Sequence, residues 1–337
     1  MIFGCGGTVL QADERRFFGA SDPAGFILFS RNCDTPAQVS RLVADLRDSV
    51  GRADAPVLID QEGGRVQRLR PPVWPTFPSA RQLVSRVTGR DPRHLDEAVF
   101  LNARLIAHDL TGLGITVNCL PVLDVANPET HEVIGDRAFG DIPQQVARLG
   151  RVACAGLLAG GVLPVIKHIP GHGRASVDSH TELPVVTASQ TELESCDFLP
   201  FRLLGDMPWA MTCHVVFTAL DPDHPATLSP TVVQDVIRRQ IGFDGLLCTD
   251  DLSMHALGGG FRDRAERALA AGCDLVLHCN GHMSEMTAIA DGCGPLSVRA
   301  QDRLSRAERQ RCAGADTQTF DAGAARARLL QMTGETI

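Results

Sequence analysis

Short apolar runs that alternate with amphipathic, helix-like segments predict an α/β fold for this chain, a single (β/α)8 barrel of TIM type. Two further observations point the same way. The apolar runs are continuous rather than alternating, as strands covered on both faces are. Polar and charged residues gather directly after several of them, where parallel α/β enzymes keep their chemistry. With 337 residues, 44% hydrophobic and 21% charged, the chain can bury a large core and is not expected to be disordered. A doubly wound open sheet satisfies the same alternation. No GxGxxG follows an early strand, however, so dinucleotide binding has little support.

The elements are read in order. Thr8-Val9-Leu10 is the first candidate strand and residues 25–29 the second. Thr35 then offers an N-cap, Pro36 stands at the first helical position, and Gln38 can close a capping box. Val39, Leu42, Val43, Leu46 and Val50 follow at helical spacing. Residues 57–60 form the third strand, 97–110 a helix ending near Gly112, and 115–120 the fourth strand. Residues 144–159 make a helix that stops at Gly160, before the fifth strand at 162–166 and the sixth at 210–213. Ser229-Pro230 opens another helix, with Val233, Val236 and Ile237 on its apolar face. The seventh strand is 246–248, and a helix over 262–271 leads into the eighth at 275–277. From about residue 283 the chain reads as closing helices, then as a polar, less ordered tail around 316–324. No linker or repeat calls for a second domain, so 1–337 is expected to be one.

Composition excludes several classes. A net charge of -8 argues against nucleic acid or an anionic membrane as the main partner. The N-terminal residues to Gly7 hold no basic region, and charges arrive at Asp13-Glu14-Arg15-Arg16, so no secretory signal is expected. No apolar run reaches the roughly 20 residues that a membrane span needs. The 11 cysteines are odd in number, include no CxxC pair, and mostly lie in apolar runs, as Cys119, Cys154, Cys248 and Cys273 do. They read as buried reduced thiols in a cytoplasmic protein, and a monomer is expected.

The most informative stretch is Lys167-His168-Ile169-Pro170-Gly171-His172-Gly173, followed by Asp178-Ser179-His180. A second is Thr249-Asp250-Asp251, at the end of another apolar run. Asp60-Gln61-Glu62-Gly63-Gly64-Arg65 follows the third strand, Asp124 the fourth, His214 the sixth, and His278 and Asn280 the eighth. Any one of these is as readily an ordinary cap or ion pair. In a barrel, however, all these ends meet at one mouth.

Asp60, Arg65, Arg137, Lys167 and His168 mix donors with acceptors, which suits the vicinal hydroxyls of a sugar better than a phosphate. Asp250 could serve as nucleophile or as electrostatic stabiliser of an oxocarbenium-like transition state. His180 could give and take a proton. Residues two apart in extended backbone point the same way, so Asp178 could orient that imidazole and favour its charged form. The pair would serve equally as a loop-stabilising hydrogen bond. A zinc set of His168, His172, His180, Asp178 and Asp250 is a competing reading. Against it, Pro170 and Gly171 keep the first two off one helical face, and no HExxH occurs. No metal and no cofactor is expected.

Six motifs carry a family likeness: the run Asp60 to Val66, Pro121-Val122-Leu123-Asp124-Val125, the run Ile134 to Gly140, the run Lys167 to His180, Pro225-Ala226-Thr227-Leu228-Ser229, and the run Thr249 to Met254. They resemble those of the bacterial β-N-acetylhexosaminidases of glycoside hydrolase family 3, in the cell-wall-recycling branch, and the resemblance spans residues 29–280. It implies a barrel that removes terminal, non-reducing N-acetylglucosamine with retention, acting on muropeptide fragments without a cofactor. By motif match Asp250 would be the nucleophile and His180 the general acid/base, assisted by Asp178 on a mobile loop. Asp60, Arg137, Lys167 and His168 would bind the sugar hydroxyls. Asp250 is preferred to Asp251 because some family members keep only the first carboxylate. The chain departs from the pattern at Ile169, where Phe is common, and at Cys119 and Leu120, where Phe-Ala often precede the proline. Both are apolar exchanges that bear on packing more than on chemistry.

A histidine departs from the usual two-carboxylate scheme. A neutral base would not repel an anionic nucleophile, so a glycoside phosphorylase remains an alternative. A zinc-dependent hydrolase and a catalytically silent sugar-binding protein stand further off.

Overall fold

The computed structural model describes residues 1–87, 92–128, 130–175, 177, 179, 182–316 and 319–334. Its eight barrel strands are Ile2–Gly4, Gly25–Leu28, Val57–Ile59, Val117–Asn118, Leu163–Ile169, Trp209–Thr212, Leu246–Asp251 and Leu275–His278. Each pairs in parallel with the next in sequence, and the first pairs with the last, closing the barrel. The (β/α)8 expectation therefore holds, with one correction. The first strand is Ile2–Gly4 and not Thr8-Val9-Leu10, which lies in the turn before helix Ala12–Ser21. Ile2 and Phe3 are wholly buried, whereas Val9 is 59% exposed. Burial decides which short apolar run becomes a strand, and three residues are too few to show a period.

The helices form the outer layer. Thr35 Oγ1 accepts from Gln38 N–H at 3.3 Å and opens helix Pro36–Ser49, which buries Val39, Leu42, Val43 and Leu46. Ile2, Leu58, Val117, Val165, Trp209 and Leu246 fill the barrel interior, so it is a packed core and not a pore. Chemistry is thereby confined to its ends. Three helices follow the eighth strand: Met283–Asp291, Val298–Gly314 and Ala322–Thr333. In the polar stretch read as a less ordered tail, Asp321 is an N-cap whose carboxylate accepts from Ala324 N–H at 2.9 Å. That last helix buries Leu329 and Met332 and packs on helix Pro92–Thr111. Among the described residues no helix is long and apolar enough to cross a membrane, and no cysteine is in a disulfide.

Two strands carry one extra residue at their carboxyl ends. The fifth shifts register against the sixth between Lys167 and Ile169, and the seventh against the eighth between Cys248 and Asp251. In a regular strand adjacent side chains face opposite ways, and a bulge interrupts that alternation and re-aims a side chain. Lys167 and His168 accordingly line one cavity together, and so do Asp250 and Asp251.

Candidate active site

The cavity lies at the carboxyl ends of the strands and measures about 320 Å³. That is near the lower end of ligand-pocket volumes and suits one monosaccharide ring. Asp60, Arg68, Arg137, Lys167, His168 and Asp250 all line it.

One wall is a chain of alternating charges. Lys167 Nζ lies 3.0 Å from Asp60 Oδ1 and 2.7 Å from Glu62 Oε1. Glu62 also grips Arg137 with both oxygens, at 2.9 Å from Nε and 2.8 Å from Nη2. Asp60 Oδ2 accepts from Arg68 Nη2 at 3.0 Å, and the Arg68 guanidinium stacks 4.9 Å from the Phe29 ring centroid. Burying an ion costs several kcal/mol unless it is paired, and here every ion is. Burial works against ionisation of Asp60, but Lys167 and Arg68 outweigh it and hold the carboxyl well below the usual carboxylate range. Glu62 is held at about 2 against its own burial, by Arg137 and Lys167. The Lys167 ammonium, despite burial, is pushed up by Asp60 and Glu62. The wall is thus fully ionised at neutral pH, with three cations sharing two carboxylates.

Glu62 and Arg68 were not singled out from the sequence. The signal for Glu62 was present: it stands two residues after Asp60 in extended backbone, so both face the same way. Arg68 returns to Asp60 because strand Gln61–Gly63 folds back on Val66–Gln67. Gly63 and Gly64 make that turn with φ of 99° and 57°. A Cβ on Gly63 would lie 2.3 Å from the Pro78 carbonyl oxygen.

Arg65 borders the cavity, but its guanidinium is committed elsewhere. It pairs with Asp136 at 2.9 Å and donates to the carbonyls of Glu132 and Val133. These bonds staple the loop that presents Arg137.

Behind the bulged fifth strand, His168 Nδ1 lies 2.6 Å from Asp124 Oδ2. Asp124 Oδ1 accepts the backbone N–H groups of His168 and His172, at 3.2 and 2.7 Å. Burial opposes ionisation of Asp124, yet His168 and these bonds hold it at about 2. The carboxylate commits Nδ1 and assigns the other ring nitrogen to a ligand. His172 is held down to about 4 by burial and by neighbouring His168, so it is a neutral ring at pH 7. Its Nε2 lies 3.3 Å from Ser179 Oγ.

Both adjacent aspartates accept hydrogen bonds. Asp251 accepts from Ser253 N–H at 3.0 Å, Ser253 Oγ at 2.6 Å and Cys279 N–H at 3.1 Å. Asp250 Oδ1 accepts Asp251 N–H at 2.8 Å. Asp251 therefore ties the strand end to Ser253 and Cys279, and both aspartates border the cavity. Not every strand-end residue converges. His214 lies beneath the cavity and does not line it, while His278 and Asn280 bond to Glu285 at 2.9 and 2.7 Å, outside it. Asp178 and His180 lie outside the described residues. Among the described residues no group of three His, Cys, Asp or Glu is placed to hold a metal ion.

Residues 10–309 match the family described as Glycosyl hydrolase family 3 N terminal domain. A beta-hexosaminidase of Alkalilimnicola ehrlichii is 39% identical over 284 residues, covering 83% of this chain and 80% of its own. A beta-hexosaminidase of Pseudomonas aeruginosa is 36% identical over 310 residues, covering 91% and 90%. Among solved structures, NagZ from Neisseria gonorrhoeae in complex with N-trifluoroacetyl-D-glucosamine superposes with a TM-score of 0.87 at 30% identity. That match covers 99% of this chain and 97% of that one.

Proposed function

Because the chain belongs to glycosyl hydrolase family 3, we propose that this glycoside hydrolase removes terminal, non-reducing β-linked N-acetylglucosamine with retention, through a covalent intermediate on Asp250. The observation that carries the reading is that Asp250 lines the same charged cavity as Asp60, Arg137, Lys167 and His168, while Asp251, which borders it too, has both carboxylate oxygens bonded to Ser253 and Cys279. The names of the relatives and the N-acyl glucosamine analogue bound to the gonococcal protein support the substrate class.

The cavity lining and the motif resemblance together support the following roles. A sugar entering the cavity meets donors from Lys167, Arg68 and Arg137 and acceptors from Asp60, a mixed set that suits vicinal hydroxyls. His168, oriented by Asp124, offers its second ring nitrogen to a further hydroxyl. Asp250 attacks the anomeric carbon as the glycosidic bond breaks, and His180, assisted by Asp178, protonates the departing oxygen. In the second step His180 takes a proton from water, which displaces Asp250 and releases the sugar with its starting configuration. Muropeptide fragments in the cytoplasm are the setting we assign to this activity, as the motif resemblance suggests and reduced cysteines accord with.

The test is release of 4-nitrophenol from 4-nitrophenyl β-N-acetylglucosaminide, with chelator present and phosphate varied, and the first-formed anomer read by NMR. Cleavage indifferent to both additions, yielding the β anomer first, is expected. Loss on chelation would reopen the zinc reading, and a phosphate-dependent rate with a sugar 1-phosphate product would make the protein a phosphorylase.

A further inference from the structure

The bulge that aims Asp250 has a support of its own. Between Cys248 and Asp251 the seventh strand spends three steps where the eighth spends two. The Leu277 N–H donates there to the Thr249 hydroxyl at 3.0 Å, a side chain standing in for a ladder carbonyl. Beneath the far end of the bulge lies His214, wholly buried. Its Nε2 is 3.0 Å from the Asp251 carbonyl oxygen and its Nδ1 is 2.8 Å from Thr227 Oγ1. Thr227 Oγ1 is in turn 2.7 Å from Thr212 Oγ1, and both threonines are wholly buried.

The direction of this relay can be assigned. A carbonyl oxygen only accepts, so Nε2 carries the ring proton. Burial holds His214 below its ordinary pKa despite nearby Asp250, so the ring is neutral and Nδ1 is bare. Nδ1 must then accept, and the Thr227 hydroxyl is its donor. Thr227 Oγ1 also donates towards the Cys213 carbonyl at 3.0 Å, so its proton is shared between that oxygen and the ring. Thr227 accepts from Thr212 in its turn. The preceding peptide is tied as well, since Asp251 N–H donates to Asp250 Oδ1 at 2.8 Å.

We propose that His214 is a positioning residue for glycoside cleavage, holding the Asp250 bulge through the Asp251 carbonyl and itself held by Thr227 and Thr212. This rests on the reading of Asp250 as nucleophile. His214 does not line the cavity, so it acts on the substrate only through Asp250. A nucleophile misplaced by about 1 Å loses roughly a hundredfold in rate.

The experiment compares wild-type protein with Asp250→Asn, His214→Leu, His214→Gln and Thr227→Val on 4-nitrophenyl β-N-acetylglucosaminide across pH. His214→Leu is expected to lower kcat about a hundredfold with KM within about twofold, and to keep both limbs of the pH profile, since His214 transfers no proton. The Gln variant, whose amide N–H can reach the Asp251 carbonyl, should recover about tenfold of that loss. Thr227→Val should lose rate in the same direction. An unaltered kcat in folded His214→Leu, a loss lying in KM, a lost pH limb, or no relief by Gln each overturns the proposal. Should the Leu variant not fold, unaltered kcat in Thr227→Val overturns it instead. Failure of the underlying reading shows separately, as an inactive wild type or an active Asp250→Asn.

Discussion

Glu62 and Lys167 form a buried ion pair, Oε1 to Nζ 2.7 Å, with side chains only 5% and 2% exposed. Glu62 also holds Arg137, so one carboxylate keeps two cavity-lining cations in place. Glu62→Gln leaves both cations short of an anion in a dry site. The expected cost is about 3 kcal/mol of stability, from the price of breaking a buried pair, together with a raised KM. Urea unfolding and steady-state kinetics measure the two effects, and a variant as stable as wild type would remove Glu62 from this role.

Acid should unfold the protein by way of the same groups. Folding takes Glu62 from 4.5 to about 2, its burial outweighed by Arg137 and Lys167. It takes Asp124 from 3.8 to about 2, its burial outweighed by His168. Both folded values lie below the unfolded ones, so this stabilisation is present above about pH 4.5 and drains away as pH falls towards 2. Unfolding free energy measured against pH should drop through that window, and less steeply for Glu62→Gln. A slope identical in the variant would contradict the assignment.

Asp124→Asn turns an amide N–H towards His168 Nδ1, where a carboxylate stood 2.6 Å away. An amide N–H facing Nδ1 favours the tautomer that carries its proton on Nε2. The contact offered to a sugar hydroxyl changes character, and product inhibition by N-acetylglucosamine should weaken about tenfold, the worth of one hydrogen bond. An unchanged inhibition constant would mean that this nitrogen does not meet the sugar.

The two aspartates of the bulge should separate cleanly. Asp250→Asn is expected to lower kcat by about three orders of magnitude or more while leaving the thermal midpoint alone. Asp251→Asn is expected to cost about 1–3 kcal/mol of stability, because its carboxylate takes three donors, two from Ser253 and one from Cys279. The opposite assortment would move the nucleophile to Asp251.

His180→Ala tests the acid role assigned from the sequence. Substrates with poor leaving groups need strong protonation and should be slowed far more than activated aryl glycosides. Equal losses on both, in parallel rate measurements, would count against His180 as the acid.

Much of this molecule is legible along the chain because the relevant physics is local. Continuous apolar runs, glycine punctuation and N-caps such as Thr35 depend on near neighbours, and they sufficed for the eight-stranded barrel and for a mouth lined by Asp60, Lys167, His168 and Asp250. The motifs themselves carried the family. Locality also explains the misplaced first strand, where three apolar residues have no period to show and only burial distinguishes them from Thr8-Val9-Leu10.

The tertiary structure alone decided who meets whom at that mouth. Glu62 finds Arg137 across 75 residues and Lys167 finds Asp60 across 107, pairings through space that no spacing announces. Arg65 and Arg137 look alike in sequence and both border the cavity, yet one pairs with Asp136 and the other with Glu62. Above all, the direction of Lys167, His168 and Asp250 depends on two bulges, and a bulge is a mismatch between the lengths of two neighbouring strands. A single strand read by itself has no register, so its alternation can be predicted but not the point at which a neighbour breaks it.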